Sequence, residues 1–339
     1  MAIRLKDIAR DLGISTVTVS KVLRGNKDIS DKTRARVLKR MRELNYKPNM
    51  LARGLAGGRT YAVGLVVPDL VHPFFAEFAK SLAGTLREAQ MALLLASSEE
   101  NPELEQQEIR TLLGRNVDVL LIASCQAQLK SFYELGDERT PFLLVDRNFP
   151  YLAAHFVGSD DYEIGRIATE HLISTGRRRI AHIGGRAMSP SVERLRGYRD
   201  TLRRNQLESP EERVVTRERV EESGDKAGFQ AMQELLKLRS RPDAVFCYND
   251  LTAIGAMEAV RAAGLAVPAD VAFVGTGNLR YSKYLRVPLT SVDQQPEVLG
   301  LRAGELALEV MEKPDLPSRS VLLSPRLAIR QSSVSDATP

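Results

Sequence analysis

The chain opens on two short helical patterns joined by a corner. Leu5, Ile8, Ala9 and Leu12 fall on one helical face. Gly13 stops that helix, because only glycine enters the left-handed region cheaply. Ser15 is a good N-cap for a second helix beginning at Thr16, with Val17, Val19, Val22 and Leu23 as its apolar positions. A loop follows at Gly25-Asn26-Lys27-Asp28. Ser30 or Asp31 then starts a third helix, with Val37, Leu38, Met41 and Leu44 facing inward and Pro48 ending it. Helix, tight turn, helix and packing helix together predict a headpiece over residues 1–48. The stretch 49–60 reads as a linker able to form one short helix before Gly57-Gly58 breaks it.

From Tyr61 onward the period changes. Apolar strand-like runs at 62–67, 92–96, 119–122, 142–145, 180–183, 214–215, 244–247, 271–274, 289–292 and 321–329 alternate with helical patterns. Such alternation predicts parallel sheets covered by helices. Its length exceeds one comfortable sheet, so two doubly wound lobes with a cleft between them are expected over 61–334. The lobes are drawn as 61–160 with 292–318 and 161–291 with 319–334, leaving 335–339 as a tail. The fold class is therefore α/β, with an all-α headpiece in front, and ligand is expected where strand ends meet.

Composition adds a direction. The 339 residues are 43% hydrophobic and 27% charged, enough for a sizeable core. No apolar run of 18 residues occurs, so no membrane-spanning helix is expected. Met1 to Lys6 is not followed by an apolar h-region, so no secretory signal and a cytoplasmic location are expected. Cys125 and Cys247 sit in apolar runs and read as buried reduced thiols. Four scattered histidines give no metal signal, and no cofactor is expected. The net charge of +5 hides an asymmetry: residues 1–60 carry +10 and the remainder −5. A basic head on an acidic body concentrates attraction for a polyanion at one end.

Catalytic patterns are missing. There is no Gly-rich phosphate loop ending in Lys-Ser/Thr and no Gly-x-Ser-x-Gly elbow. Gly275-Thr276-Gly277-Asn278 lacks the third glycine and the helix start of a dinucleotide fingerprint. An enzyme is not expected. The body alone would suit a secreted binding protein, but the basic head and the missing signal argue against that.

Particular segments sharpen the reading. Leu5-Lys6-Asp7-Ile8-Ala9, Gly13 through Lys21, Asn45-Tyr46-Lys47-Pro48-Asn49, Ala52-Arg53-Gly54-Leu55 and Gly64 through Asp69 come first. His72-Pro73-Phe74-Phe75, Val145-Asp146-Arg147, Ile180 through Gly185, Arg194 through Tyr198, Glu222-Ser223-Gly224, Tyr248-Asn249-Asp250 and Pro288-Leu289-Thr290 follow in order. In this order and spacing the chain resembles the LacI-type (lactose-repressor-like) transcription regulators over essentially its full length. The resemblance implies a helix-turn-helix headpiece, a hinge helix, and a periplasmic-binding-protein-like domain that binds an effector and dimerises. A regulator, expected to be a repressor, would then bind a pseudo-palindromic operator as a homodimer.

The resemblance also assigns roles. Thr16, Val17 and Lys21 would meet base edges: Lys21 can donate to guanine, and Val17 and the Thr16 methyl can contact a thymine methyl. Ser15, Thr18, Ser20, Arg24, Asn26 and Thr33 would contact phosphates and fix register. Leu55 would wedge into the minor groove, with Ala52 small enough for paired hinges to approach closely. In the cleft, Phe75 would form a wall, with Arg194, Asn249 and Gln294 as polar contacts and Ser124 and Asp146 from the other lobe. Many relatives place an aspartate where this chain has Gly277, and Arg219 stands near a wall position that is often aromatic. Losing a carboxylate and gaining an arginine points to an acidic or phosphorylated sugar-like effector. The short segment after Arg330 leaves no room for a leucine-heptad helix, so a dimer is expected rather than a tetramer.

Overall fold

The computed structural model describes residues 3–23, 26, 28–46, 59–129, 132, 135, 140–218, 220 and 223–334. Arg24, Ala52, Leu55 and Arg219 therefore lie outside the described residues, as do most of the linker and the tail. Two compact units divide the chain at Thr60.

In the first unit, α1 (Leu5–Leu12) ends on Gly13 at φ +63°. The N–H groups of Gly13 and Ile14 close on the carbonyls of Arg10 and Ala9 at 3.2 and 3.0 Å, which makes the corner. The Ser15 hydroxyl accepts from the Thr18 N–H at 3.0 Å and so caps α2 (Thr16–Leu23). Ser30 caps α3 (Asp31–Glu43) in the same way, through the Thr33 N–H. Ile8, Ala9, Val19, Val22, Val37 and Met41 form a core of this unit's own. Two expectations are corrected. The third helix stops at Glu43, not at Pro48, because Asn45 turns left-handed at φ +46° and the Tyr46 N–H bonds to the Met41 carbonyl at 2.9 Å. Leu38 is 42% exposed rather than inward, since Val37 and Met41 already take the core face and the next position is turned about 100° away.

The second unit contains two sheets. β1 (Ala62–Val67), β2 (Ala92–Ser97), β3 (Val119–Ile122), β4 (Phe142–Val145) and β5 (His155–Ser159) build the first. Its helices are α4 (Pro73–Glu88) and α5 (Pro102–Gly114). The second comes from β6 (Ile180–Gly184), β7 (Val214–Thr216), β8 (Ala244–Cys247), β9 (Ala272–Thr276) and β10 (Thr290–Asp293). Its helices are α6 (Asp161–Ser174), α7 (Ser189–Arg204), α8 (Gly224–Leu236) and α9 (Asp250–Ala262). Then α10 (Pro296–Glu312) returns to pack on α4, β11 (Ser320–Leu323) joins the first sheet and β12 (Arg326–Ala328) the second. The orders are β11-β5-β4-β3-β1-β2, all parallel, and β12-β10-β9-β8-β6-β7, parallel except for β12. Both are buried on two faces: Leu65 and Leu82 lie on one side of the first sheet, Ile109 and Leu120 on the other. Helices approach closely where glycine permits it. A Cβ on Gly165 of α6 would come within 2.1 Å of the Arg194 carbonyl on α7.

β5 was not expected, because His155 and Gly158 interrupt its apolar run, yet all five of its residues are buried. The single strand expected at 321–329 is two strands in different sheets. The boundary drawn at residue 318 therefore moves: β11 stays with the first lobe and the chain crosses at Ser324-Pro325. Three crossings join the lobes, and hydrogen bonds tie them together. The Ser159 hydroxyl donates to the Gln294 carbonyl at 3.3 Å. Gln295 Nε2 donates to the Ser324 carbonyl at 2.8 Å, and the Asp160 N–H to the Leu323 carbonyl at 3.0 Å. Cys125 and Cys247 are free and buried. No helix among the described residues is long and apolar enough to cross a membrane.

One buried group makes this fold acid-sensitive. His182 in β6 stacks between Tyr198 and Phe246, at ring distances of 5.4 and 4.8 Å, and its Nδ1 lies 3.0 Å from the Phe246 carbonyl. Burial drives its pKa down from 6.5 to about 4. The folded chain keeps it neutral while the unfolded chain protonates it, so stability is full above pH 6.5 and falls as pH drops toward 4. The loss is roughly 1.4 kcal/mol per pH unit, or about 3 kcal/mol across the window. Burial shifts His171 and His155 in the same direction. Urea titrations of wild type and His182→Gln between pH 7 and 4 check this. The variant is expected to start less stable and to show a shallower pH slope; an unchanged slope would remove His182 from the account.

Candidate functional site

The first unit presents α2 as an exposed face. Val19 and Val22 are buried, whereas Val17 is 59% exposed, an apolar side chain in solvent beside Thr16. Lys21 lies further along the helix and bonds to Asp28 at 2.5 Å. Ser15 and Thr18 hydroxyls lie 2.9 Å apart, and those of Ser30 and Thr33 3.0 Å apart, so these polar groups also hold their own helix starts. Ser20 is partly exposed and Asn26 exposed; the Asn26 carbonyl accepts from Arg34 at 2.6 Å. Asp7 and Asp11 pair with arginines of their own unit, Arg10 and Arg40. The result is a convex helix face, part apolar and part cationic, on a rigid three-helix support.

The second unit opens a cleft where the strand ends of both sheets meet, the location at which open α/β sheets bind ligands. From the first lobe, Phe75 in the first turn of α4 is buried and packs edge-on against Phe74 and His72 at 5.0 and 5.8 Å. Ser124, just beyond β3, donates to Glu105 Oε1 at 2.7 Å, and Glu105 Oε2 accepts from the Cys125 N–H at 2.5 Å. Ser124 is thus turned toward α5. Burial next to Glu105 pushes the Cys125 thiol up to about 12. Asp146, beyond β4, holds φ +61°, with its N–H on the Val157 carbonyl. Arg147 beside it is buried, lies 3.7 Å from Glu100 and 3.9 Å from Asp146, and donates to the Ser124 carbonyl at 3.2 Å.

From the second lobe, Arg194 on α7 is 3% exposed. Its Nε donates to Asp161 Oδ1 at 2.8 Å, its Nη2 lies 2.8 Å from the same oxygen, and its Nη1 donates to the Tyr248 carbonyl at 2.7 Å. The Tyr248 ring lies 4.7 Å from the guanidinium. Burial works against the Arg194 charge, but Asp161, Tyr248 and Asp146 outweigh it and raise its pKa. Burial raises the Asp161 carboxyl, and Arg194 offsets part of that. Asn249 caps α9 through the Thr252 N–H at 2.8 Å. Its Nδ2 donates to the Val220 carbonyl at 3.1 Å and lies 3.5 Å from His72 Nε2, across the cleft. Gln294 is buried on a crossing. The cleft therefore brings His72, beside Phe75, to Asn249 of the other lobe.

Three participants were not foreseen. Asp161 follows Asp160 at a helix start, where carboxylates are common, and nothing in the sequence says that it reaches Arg194. Ser189 accepts the Asn148 N–H at 2.7 Å and so bridges the lobes, but small polar residues at helix starts are too common to be a signal. Asp250 is fully buried: Oδ2 accepts from the Leu279 N–H and the Ser282 hydroxyl, both at 2.8 Å, and Oδ1 from the Ser291 hydroxyl at 2.6 Å. It thereby holds the loop after β9. In that loop Gly277 has φ +121°, a conformation side chains rarely adopt, and Asn278 bonds to Asp293 and Arg330 at 3.3 and 2.6 Å. The aspartate absent here could not simply be restored without bending this loop.

Comparison with known proteins places these features. Residues 4–49 match the description "Bacterial regulatory proteins, lacI family", and residues 169–333 a "Periplasmic binding protein-like domain". The ribose operon repressor of Haemophilus influenzae is 32% identical over 97% of this chain and 98% of its own. The HTH-type transcriptional regulator GalR of Escherichia coli is 33% identical over 97% and 95%. Among solved structures, the CelR–cellobiose complex superposes with TM-score 0.74 and 31% identity, over 97% of this chain and 99% of that one. The lac repressor dimer bound to operator and the anti-inducer ONPF gives 0.87 and 25%, over 99% and 100%.

Proposed function

The chain belongs to the lacI family of bacterial regulatory proteins, and from that premise we propose how its own residues read DNA and sense an effector. It is a DNA-binding transcriptional regulator of the repressor type, with operator affinity switched by a small molecule. The observation that carries the DNA half is the exposure of Val17 beside exposed Thr16 at the start of α2, with Lys21 further along. An exposed valine costs solubility unless it meets something apolar, and a thymine methyl is such a partner. Lys21 exchanges Asp28 for a guanine edge. Ser15, Thr18, Ser20, Arg24, Asn26 and Thr33 contact phosphates, and Leu55 with Ala52 forms the minor-groove hinge.

The working unit is a homodimer in the cytoplasm, and it catalyses no reaction. Support for the dimer comes from edge strand β2, which leaves Leu95 42% exposed, and from an apolar groove along α9 lined by Ile254, Met257 and Leu285. The solved relative on operator is itself a dimer. The effector sits among Phe75, Arg194, Asn249, Asp146 and Gln294, with Ser124 behind that wall and Arg219 beyond the described residues. We favour a neutral hydroxylated sugar over the acidic or phosphorylated one expected from sequence. Arg194 is already balanced by Asp161 within its own lobe, and Arg147 sits between Glu100 and Asp146, so the described cations of the cleft offer no spare charge. The relatives include a ribose operon repressor and a cellobiose complex.

Gel shifts on the DNA upstream of the gene test the first half. Specific binding is expected to weaken steeply with salt, because each neutralised phosphate releases a counterion. No binding at low salt would overturn it. Calorimetry with ribose, cellobiose and ribose 5-phosphate tests the second; binding of the phosphate alone would restore the anionic reading.

A further inference from the structure

Four of the five acids in residues 1–60 have a local use. Asp7, Asp11 and Glu43 pair with arginines of their own unit. Asp31 lies in the first turn of α3, where a carboxylate suits the helix dipole. Asp28 is different. Its Oδ2 lies 2.5 Å from Lys21 Nζ. Lys21 stands one helical turn beyond Val17 on α2, so the two share a helix face. The carboxylate therefore sits at the edge of the face that presents exposed Thr16 and Val17.

The loop after α2 holds Asp28 there. The Asn26 N–H bonds to the Lys21 carbonyl at 3.1 Å, and Arg34 on α3 donates to the Asn26 carbonyl at 2.6 Å. Pinned at Asn26, the chain returns Asp28 to a lysine seven positions earlier. Hydrogen bonding from Lys21 holds the Asp28 carboxyl below its ordinary value.

A carboxylate on a surface that meets a polyanion repels every duplex alike. It helps only where the duplex offers it a donor. In the major groove guanine presents the N7 and O6 acceptors, and its paired cytosine an N4 donor. A cation beside an anion matches that pattern. In an A·T pair the place of cytosine N4 is taken by thymine O4, an acceptor, which leaves the carboxylate unpaired.

We propose that Lys21 and Asp28 read one G·C pair jointly, Lys21 donating to guanine and Asp28 accepting from cytosine N4, which makes Asp28 a specificity-determining residue. This role rests on Lys21 being a base reader. On G·C both groups exchange each other for a base edge and both charges stay paired. On any other pair at least one is left without a partner.

Binding-site selection from a randomised duplex library, with full-length wild type, Asp28→Asn and Lys21→Met, tests this. Wild type is expected to select G·C at one position of each half-site. In direct titration it is expected to prefer G·C over A·T there by about tenfold or more. Asp28→Asn is expected to reduce that preference to about threefold or less, with the other positions read as before. Its affinity for a scrambled duplex is expected to rise. Asp28 is exposed and outside the helices, so the variant is expected to melt as wild type does. An equal gain on selected and scrambled duplexes, with the G·C preference unchanged, would overturn the proposal and leave Asp28 a repulsive charge. Lys21→Met with every base preference intact would remove Lys21 as a reader, and the joint reading with it.

Discussion

Replacing Leu55 by alanine is expected to weaken specific operator binding on the order of a hundredfold, while effector affinity and non-specific DNA binding stay as they are. On the proposed reading the headpiece supplies the base readers, and the paired hinges set the register of two headpieces on the operator. A wedge side chain opens a base step at a cost of a few kcal/mol, offset by the bent DNA surface that the bend brings into contact. A methyl group is too short to hold that step open, and a dimer loses two wedges at once. Titration of wild type and Leu55→Ala against operator and scrambled duplexes, with effector binding measured in parallel, separates the outcomes. Equal losses on both duplexes would point to a folding defect. Unchanged operator affinity would show that Leu55 packs elsewhere.

The second large effect concerns Arg194. Its guanidinium is clamped by Asp161 and by the Tyr248 carbonyl. Arg194→Met keeps much of the volume but leaves Asp161 buried without its cation. Breaking a buried pair in this way costs about 3–5 kcal/mol, part of which Asp161 avoids by taking up a proton. The expected phenotype is a protein that still binds operator and no longer releases or tightens in response to the sugar that calorimetry identifies. Adding Asp161→Asn is expected to recover much of the lost stability without recovering the response. That split distinguishes a ligand contact from a structural strut. A double variant with full response would make Arg194 purely structural.

Much of this was legible along the chain because local physics agreed with the global fold. Gly13 had to be left-handed, Ser15 had to cap, Ser30 or Asp31 had to start the third helix, and β1, β3, β4 and β8 were apolar runs of strand length. The misses follow from information that is not local. β5 contains His155 and Gly158, poor strand formers, and is a strand because β4 and β11 flank it on both sides. β11 and β12 look like one run, but a two-residue crossing, Ser324-Pro325, places them in different lobes. Arg194 was identifiable as a cleft residue, whereas its neutralisation by Asp161, 33 positions earlier, was not. That one contact is what changes the expected effector from anionic to neutral. Gly277 was legible as a departure and not as a backbone requirement, since φ is invisible in sequence.

The three crossings carry a further consequence for how the protein is made. The headpiece core closes entirely within residues 8–41, so it is complete as soon as it leaves the ribosome. Neither lobe can close so early. The first sheet needs α10 and the edge strand Ser320–Leu323, and the second needs Thr290–Asp293 and the Ser332 hydroxyl, which donates to the Phe273 carbonyl at 2.7 Å. Both wait for residues 290–332. For much of translation the nascent chain is therefore a finished DNA reader attached to an unfinished sensor. Loss of the last few strands would silence the sensor before the reader.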